Sequence, residues 1–205
     1  MKAFIKSLER PGNETLIEAV IKGYSVIFEN NESADLVAEA RKFKSTEEFW
    51  EAQEAQGAHF IHATDKDFTE FDISKTSKGA VHGPAVYGSL KGGEIWDPPG
   101  LVKKNRIIEG VVYGKILDIT KPLSKEDLSV FEKLLGRELE SLPIISLEKR
   151  FGSLSNGIRE AGYSAFYHQG PGGAGKHIAI VDPSQIKTKS QLIDIWNKAQ
   201  KGKRQ

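Results

Sequence analysis

Cysteine is absent from the 205-residue chain and methionine occurs once. The first absence removes disulfides, thiolate catalysis and cysteine-ligated zinc together, and it fits a reducing compartment, with the cytoplasm as the default expectation. Charge of one sign is missing too. Twenty-nine Lys and Arg stand against 28 Asp and Glu, leaving a formal +1, so no polyanion-binding signature covers the chain and any nucleic-acid contact would be local. No run of 18 apolar residues occurs, and the opening MKAFIKSLERPGNETL lacks an apolar stretch of seven. Neither a membrane span nor an export leader is therefore expected. There is no internal repeat, no sustained heptad seam, and no Walker or Rossmann glycine pattern set between a strand and a helix.

What is present suffices for a real core: 39% of the residues are hydrophobic, and the length argues for one domain with a small appendage. The expected organisation is an N-terminal extension over 1–44, a core domain over 45–190, and a helix end with a basic tail over 191–205. In the extension, apolar Leu16, Ile17, Val20 and Ile21 predict a short helix, Tyr24 to Phe28 a strand, and Ser33 to Arg41 a second helix. Ser45 with Glu48 three residues on is a capping box that opens a helix over 46–56, closed by Gly57. Residues 58–63 predict a strand. Gly110 to Ile119, GVVYGKILDI, reads as the strongest strand of the chain, followed by a Ser124-capped helix to about Leu135. A helix or turn region is expected over 137–160, a last core strand over 177–181 and a terminal helix over 189–199. Strands interrupted irregularly by helices predict α+β rather than doubly wound α/β.

Three islands carry the candidate chemistry. The first is Phe60-Ile61-His62-Ala63-Thr64 followed by Phe68-Thr69-Glu70-Phe71-Asp72. The second is Gly83-Pro84-Ala85-Val86-Tyr87-Gly88-Ser89. The third joins Ala161-Gly162-Tyr163 to His177-Ile178-Ala179-Ile180-Val181-Asp182-Pro183-Ser184-Gln185-Ile186-Lys187. Taken alone, His62 reads as a satisfied histidine at a strand edge. Tyr87 and Trp96 can serve either as ring-stacking groups or as covers of apolar core. His59, alternating along its strand, reads as structural, and His82 as a pocket rim or an exposed turn.

In this order the islands resemble the ADP-ribosyltransferase superfamily, in the His-Tyr-Glu branch of poly-ADP-ribose polymerases and diphtheria-like toxins, closest to phage polyvalent-protein transferases. The resemblance spans roughly residues 42–190. It implies a split two-sheet core with peripheral helices. It also implies NAD as substrate, no metal, and a mono-ADP-ribosyl transfer to a protein or nucleic-acid acceptor by a phage- or mobile-element-borne toxin or effector. His62, Tyr87 and His177 would be the catalytic positions. His62, Ala63, Thr64, Gly83, Tyr87, Ser89 and Trp96 would hold the NAD: His62 on a ribose hydroxyl, the Ala63 main chain on the carboxamide, and Tyr87 with Trp96 around the nicotinamide ring.

Two departures stand out. Ala63 occupies the place of a family glycine. His177 occupies the place of the family's catalytic glutamate, and a neutral imidazole accepts a hydrogen bond but offers no fixed negative charge to an oxocarbenium-like centre, which argues against polymer elongation. Glu138-Leu139-Glu140 has the spacing of the arginine-specific branch's Glu-x-Glu without its other partners, and Glu94 and Glu160 are further acids that folding can bring near. The alternative function is a catalytically impaired member that binds NAD, ADP-ribose or a protein partner.

Overall fold

A computed structural model describes residues 35–66, 68, 70–76, 80–91, 106–170 and 175–202. The expected helix over 15–22, the strand over 24–28, Glu94 and Trp96 lie outside them. The chain divides into two compact units, one formed by residues 1–49 with 192–205 and the other by Trp50–Gln191.

In the first unit the described residues form helix α1 (35–40), the start of α2 (Thr46–Gln56) and most of α6 (Lys189–Lys201). Ser45 Oγ accepts the Glu48 N–H, and the Glu48 carboxylate accepts the Lys44 N–H, so the box closes one residue further back than its ideal form. Phe43 and Phe49 meet at 5.6 Å, and Gln200 Nε2 donates to the carbonyls of Ala40 and Phe43. Ala40, Phe49, Leu192 and Ala199 are buried.

The second unit is built on a seven-stranded mixed sheet. Its strands are β1 (Ala58–Thr64), β2 (Val86–Ser89), β3 (Arg106–Val112), β4 (Ile116–Asp118), β5 (Ala165–Gln169), β6 (Lys176–Ile180) and β7 (Ile186–Thr188), in the order β4-β5-β6-β2-β1-β3-β7. Only the β4–β5 pair is parallel. With six α-helices among the described residues, the architecture is α+β. The β1–β2 link is a single residue pair, Ile61 with Ser89, whereas β1 pairs with β3 over all seven of its residues. The sheet is therefore narrowest between two better-paired halves.

The stretch expected as one long strand over 110–119 is two strands that leave in different directions. Gly114 lies between them at φ +86, and a Cβ there would meet Ser164 Oγ at 2.3 Å, so the turn that ends β3 requires glycine. Helices α3 (Lys125–Leu135), α4 (Ile144–Phe151) and α5 (Leu154–Glu160) follow β4. Ser124 and Ser153 cap α3 and α5 by accepting the N–H groups of Asp127 and Asn156. Leu117, Phe131, Leu147, Leu154, Ile158, Tyr163, Phe166 and Val181 form one apolar cluster, and Phe60, Val86, Ala165, Ile178 and Ile180 another on the opposite face of the sheet. Tyr163 stacks on Phe131 and donates its hydroxyl to Asp127 at 2.6 Å. Among the described residues no helix is long and apolar enough to cross a membrane.

Candidate functional site

Strand register decides which side chains share a face. Tyr87 pairs with Ala179 and Ser89 with His177 across β2 and β6, while Phe166 pairs with Ala179 and His168 with His177 across β5 and β6. Side chains directly opposite one another point the same way. Tyr87, Ser89, His177 and His168 thus lie on one face, which is also the face of Phe166 and the first apolar cluster.

The ring geometry agrees. His168 lies 5.9 Å from Tyr87, 6.0 Å from His177 and 4.8 Å from His82, ring centre to ring centre. His82 sits 5.6 Å from Phe166, so its imidazole is part of the cluster's rim and not of an outward turn. The 80–84 turn that carries it is fixed from two sides. The Ser155 N–H at the start of α5 donates to the His82 carbonyl, and the Tyr87 hydroxyl donates to the Gly83 carbonyl at 2.8 Å while accepting the His82 N–H at 3.3 Å. Gly83 adopts φ +98 with Ser153 against it; a Cβ would sit 2.4 Å from Ser153 Cβ. Gly83 is thus the hinge of the turn that positions His82.

Burial sets the protonation of this cluster. It pulls the His168 pKa down to about 4, with His82 and His177 pushing the same way and the bond to the Gln169 carbonyl opposing them. Burial also lowers His82, against the raising effect of Glu148, and raises the Tyr87 phenol, against the His82 N–H and Ser155. His168 is accordingly a neutral imidazole at pH 7. Gly170, at the end of β5, packs against the Cδ2–Nε2 side of the His177 ring: a Cβ there would lie 2.7 Å from His177 Nε2. Glycine at 170 is what lets the backbone close over this ring.

His62 is placed differently. It follows Phe60 by two residues and shares its face, the one opposite Tyr87, where its ring meets Phe71 at 5.4 Å and Phe68 at 6.1 Å. It joins Tyr87 through the main chain, with Nδ1 on the Tyr87 carbonyl at 2.8 Å. Coming one residue past the single β1–β2 pair, this bond takes the place of the next rung and holds β2 to β1 at the narrow point. Ala63 lies back on the Tyr87 face by alternation, and Thr64 is buried with its hydroxyl accepting the Lys66 N–H. Of the expected site residues, Tyr87, Ser89 and His177 are brought together with Gly83 beside them. The His62 and Thr64 side chains stand on the far face.

Among the described residues no carboxylate hydrogen-bonds or ion-pairs with Tyr87, His168 or His177. Glu160 ends α5, and Glu138 and Glu140 lie in the loop between α3 and α4, not in a helix, beside a surface hollow of Glu132, Arg137 and Pro143. His59 pairs with Glu54 at 3.6 Å and packs edge-on against Trp50. No group of His, Asp or Glu among the described residues is arranged to hold a metal ion.

His168 was not among the residues the sequence pointed to, because β5 was not expected at all. Its signal is nonetheless present in the sequence: Phe166 and His168 alternate with Ala165 and Tyr167, and the Gly170-Pro171-Gly172-Gly173 run that follows is a turn signal before HIAIV, which together spell a hairpin. No family model, curated protein or solved structure matches the chain.

Proposed function

We propose that the chain is an ADP-ribosyltransferase-type protein that binds NAD on the Tyr87–His177 face and transfers its ADP-ribose to a protein or nucleic-acid acceptor. One observation carries the proposal. The three motif islands, separated by 25 residues and then by 90, lie on strands that are direct neighbours in the sheet, β1 beside β2 beside β6. The single pair between β1 and β2 is where the split of a two-sheet core would fall, with Tyr87 and Ser89 along its edge.

On this proposal the nicotinamide stacks on Tyr87, and His62 acts from behind by fixing the Tyr87 main chain. In transfer, the bond from ribose C1′ to the nicotinamide nitrogen breaks, nicotinamide leaves neutral, and an acceptor oxygen or nitrogen bonds to C1′. The acceptor's proton passes to the imidazole of His177, which stands in the acid's place. Burial keeps His168 uncharged beside it, so His168 does not oppose the positive charge that develops on the ribose.

A second reading, NAD or ADP-ribose binding without transfer, is favoured by the lack, among the described residues, of a partnered carboxylate at Tyr87, His168 and His177. One experiment separates the two: the protein is incubated with radiolabelled NAD and a bacterial lysate, beside a Tyr87→Ala variant. Label on a macromolecule that disappears in the variant supports transfer. Tyr87-dependent NAD binding with no label on any macromolecule supports the second reading. A protein that binds neither NAD nor ADP-ribose contradicts both.

A further inference from the structure

His168 is 8% exposed, and its two ring nitrogens are treated unequally. Nδ1 lies 3.0 Å from the carbonyl of Gln169, an acceptor, so Nδ1 carries the proton and Nε2 presents a lone pair. Nε2 is buried and has no hydrogen-bond partner among the described residues. Leaving a buried acceptor unmade costs about 1–3 kcal/mol, and folded proteins rarely tolerate one without a use for it. Here three aromatic groups of the candidate site, Tyr87, His82 and His177, surround the ring. A core histidine kept only for packing would be as well served by phenylalanine, which Phe166 already is two residues earlier on the same face.

We infer that His168 is a further ligand-binding residue of this site, its Nε2 accepting a hydrogen bond from a ribose hydroxyl of bound NAD. The inference rests on the NAD-binding proposal above. The chemistry of the partner follows from the tautomer: a lone pair held by a fixed Nδ1–H needs a donor, and a nucleotide ribose is rich in hydroxyl donors. Directly across the β5–β6 ladder, His177 sets a second imidazole beside the first, so the pair offers ring nitrogens on adjacent strands to the hydroxyls of one sugar. His82 stands over His168 from the 80–84 turn, so the hydroxyl reaches Nε2 by displacing the His82 edge.

Two substitutions separate the ring nitrogens. His168→Asn places an amide where Nδ1 was, keeps the bond to the Gln169 carbonyl, and has nothing at the Nε2 position. His168→Gln reaches the Nε2 position with a carbonyl oxygen and gives up the Nδ1 bond. Affinities for NAD, ADP-ribose and nicotinamide are measured by calorimetric titration for each, with thermal melting as the record of folding. The expected result is a loss of about tenfold for NAD and ADP-ribose in His168→Asn, equivalent to about 1.4 kcal/mol, with nicotinamide unchanged and His168→Gln close to the parent. Asparagine binding as well as the parent, or asparagine and glutamine falling alike, overturns the inference while leaving NAD binding intact. A loss for nicotinamide alone overturns it as well, by moving the contact off the ribose. Should the parent protein bind neither NAD nor ADP-ribose, the functional proposal and the inference fall together.

Discussion

The two faces of the central sheet each carry histidines near its narrow point, and they use them in different ways. On one face His62 packs against Phe68 and Phe71, and its Nδ1 completes the main-chain pairing of β1 with β2. On the other face His168 also gives Nδ1 to a carbonyl, but that of its own neighbour, and its Nε2 is left with no partner among His82, Tyr87 and His177. The first arrangement spends its polar group on holding strands together. The second keeps a polar group in reserve inside an apolar wall, which lowers stability and is useful only if something else completes it. The contrast divides the sheet into a face that secures the fold and a face that, on the proposal, receives a ligand.

Phe60→Ala tests the securing face most severely. Phe60 is fully buried and fills the space that Gly88 and Gly110 leave open beside it, so truncation is expected to cost about 3–5 kcal/mol in chemical denaturation, with NAD affinity of the folded protein unchanged. A loss of affinity larger than the loss of folded protein would break the division.

Gly170→Ala acts on the other face. The added methyl turns the His177 ring out of place; the expected cost in stability is about 1–3 kcal/mol, and NAD affinity in the same titration falls about tenfold. His62→Ala removes one strand-bridging hydrogen bond and is expected to cost about 1 kcal/mol in the same unfolding assay, with a smaller effect on affinity than Gly170→Ala.

A pH dependence is expected as well. His168 has a folded pKa of about 4, below the ordinary value of 6.5, so the unfolded chain binds more protons between those limits. Its neutral, buried state therefore costs nothing above pH 6.5, and stability declines as the pH falls from 6.5 toward 4. His82, lowered in the same direction, adds to the decline. Melting temperatures across this window should drop in the parent protein and drop less in His168→Gln.

Local chemistry made much of this legible in the sequence. Ser45, Ser124 and Gly57 marked helix ends because a cap is a contact between near neighbours, and the helices they bound begin or end where expected. The strand over 58–63 and the terminal strand near 177–181 were visible as alternating or continuous apolar runs. What escaped depends on contacts distant in the chain. The long strand expected over 110–119 breaks at Gly114 because Ser164, 50 residues away, presses on that turn. Which of His62 and Tyr87 faces which side is decided by register and by the close of the β1–β2 ladder after one pair, neither of which a motif records. Strand β5 is five residues long and ends at a glycine run, too short to declare itself, and with it His168 was hidden. The described strands form one seven-stranded sheet with a single residue pair between β1 and β2, a detail of pairing rather than of pattern.

The chain has five histidines, so its imidazole resonances form a spectrum small enough to assign one by one. Titrating NAD into the protein while following those ring signals tests the candidate site most directly. The account predicts that the signals of His82, His168 and His177 move together and saturate with NAD, while that of His59, paired with Glu54 against Trp50, stays in place. Signals of His168 and His177 that remain fixed while NAD binds, or that move no more than His59, would contradict it.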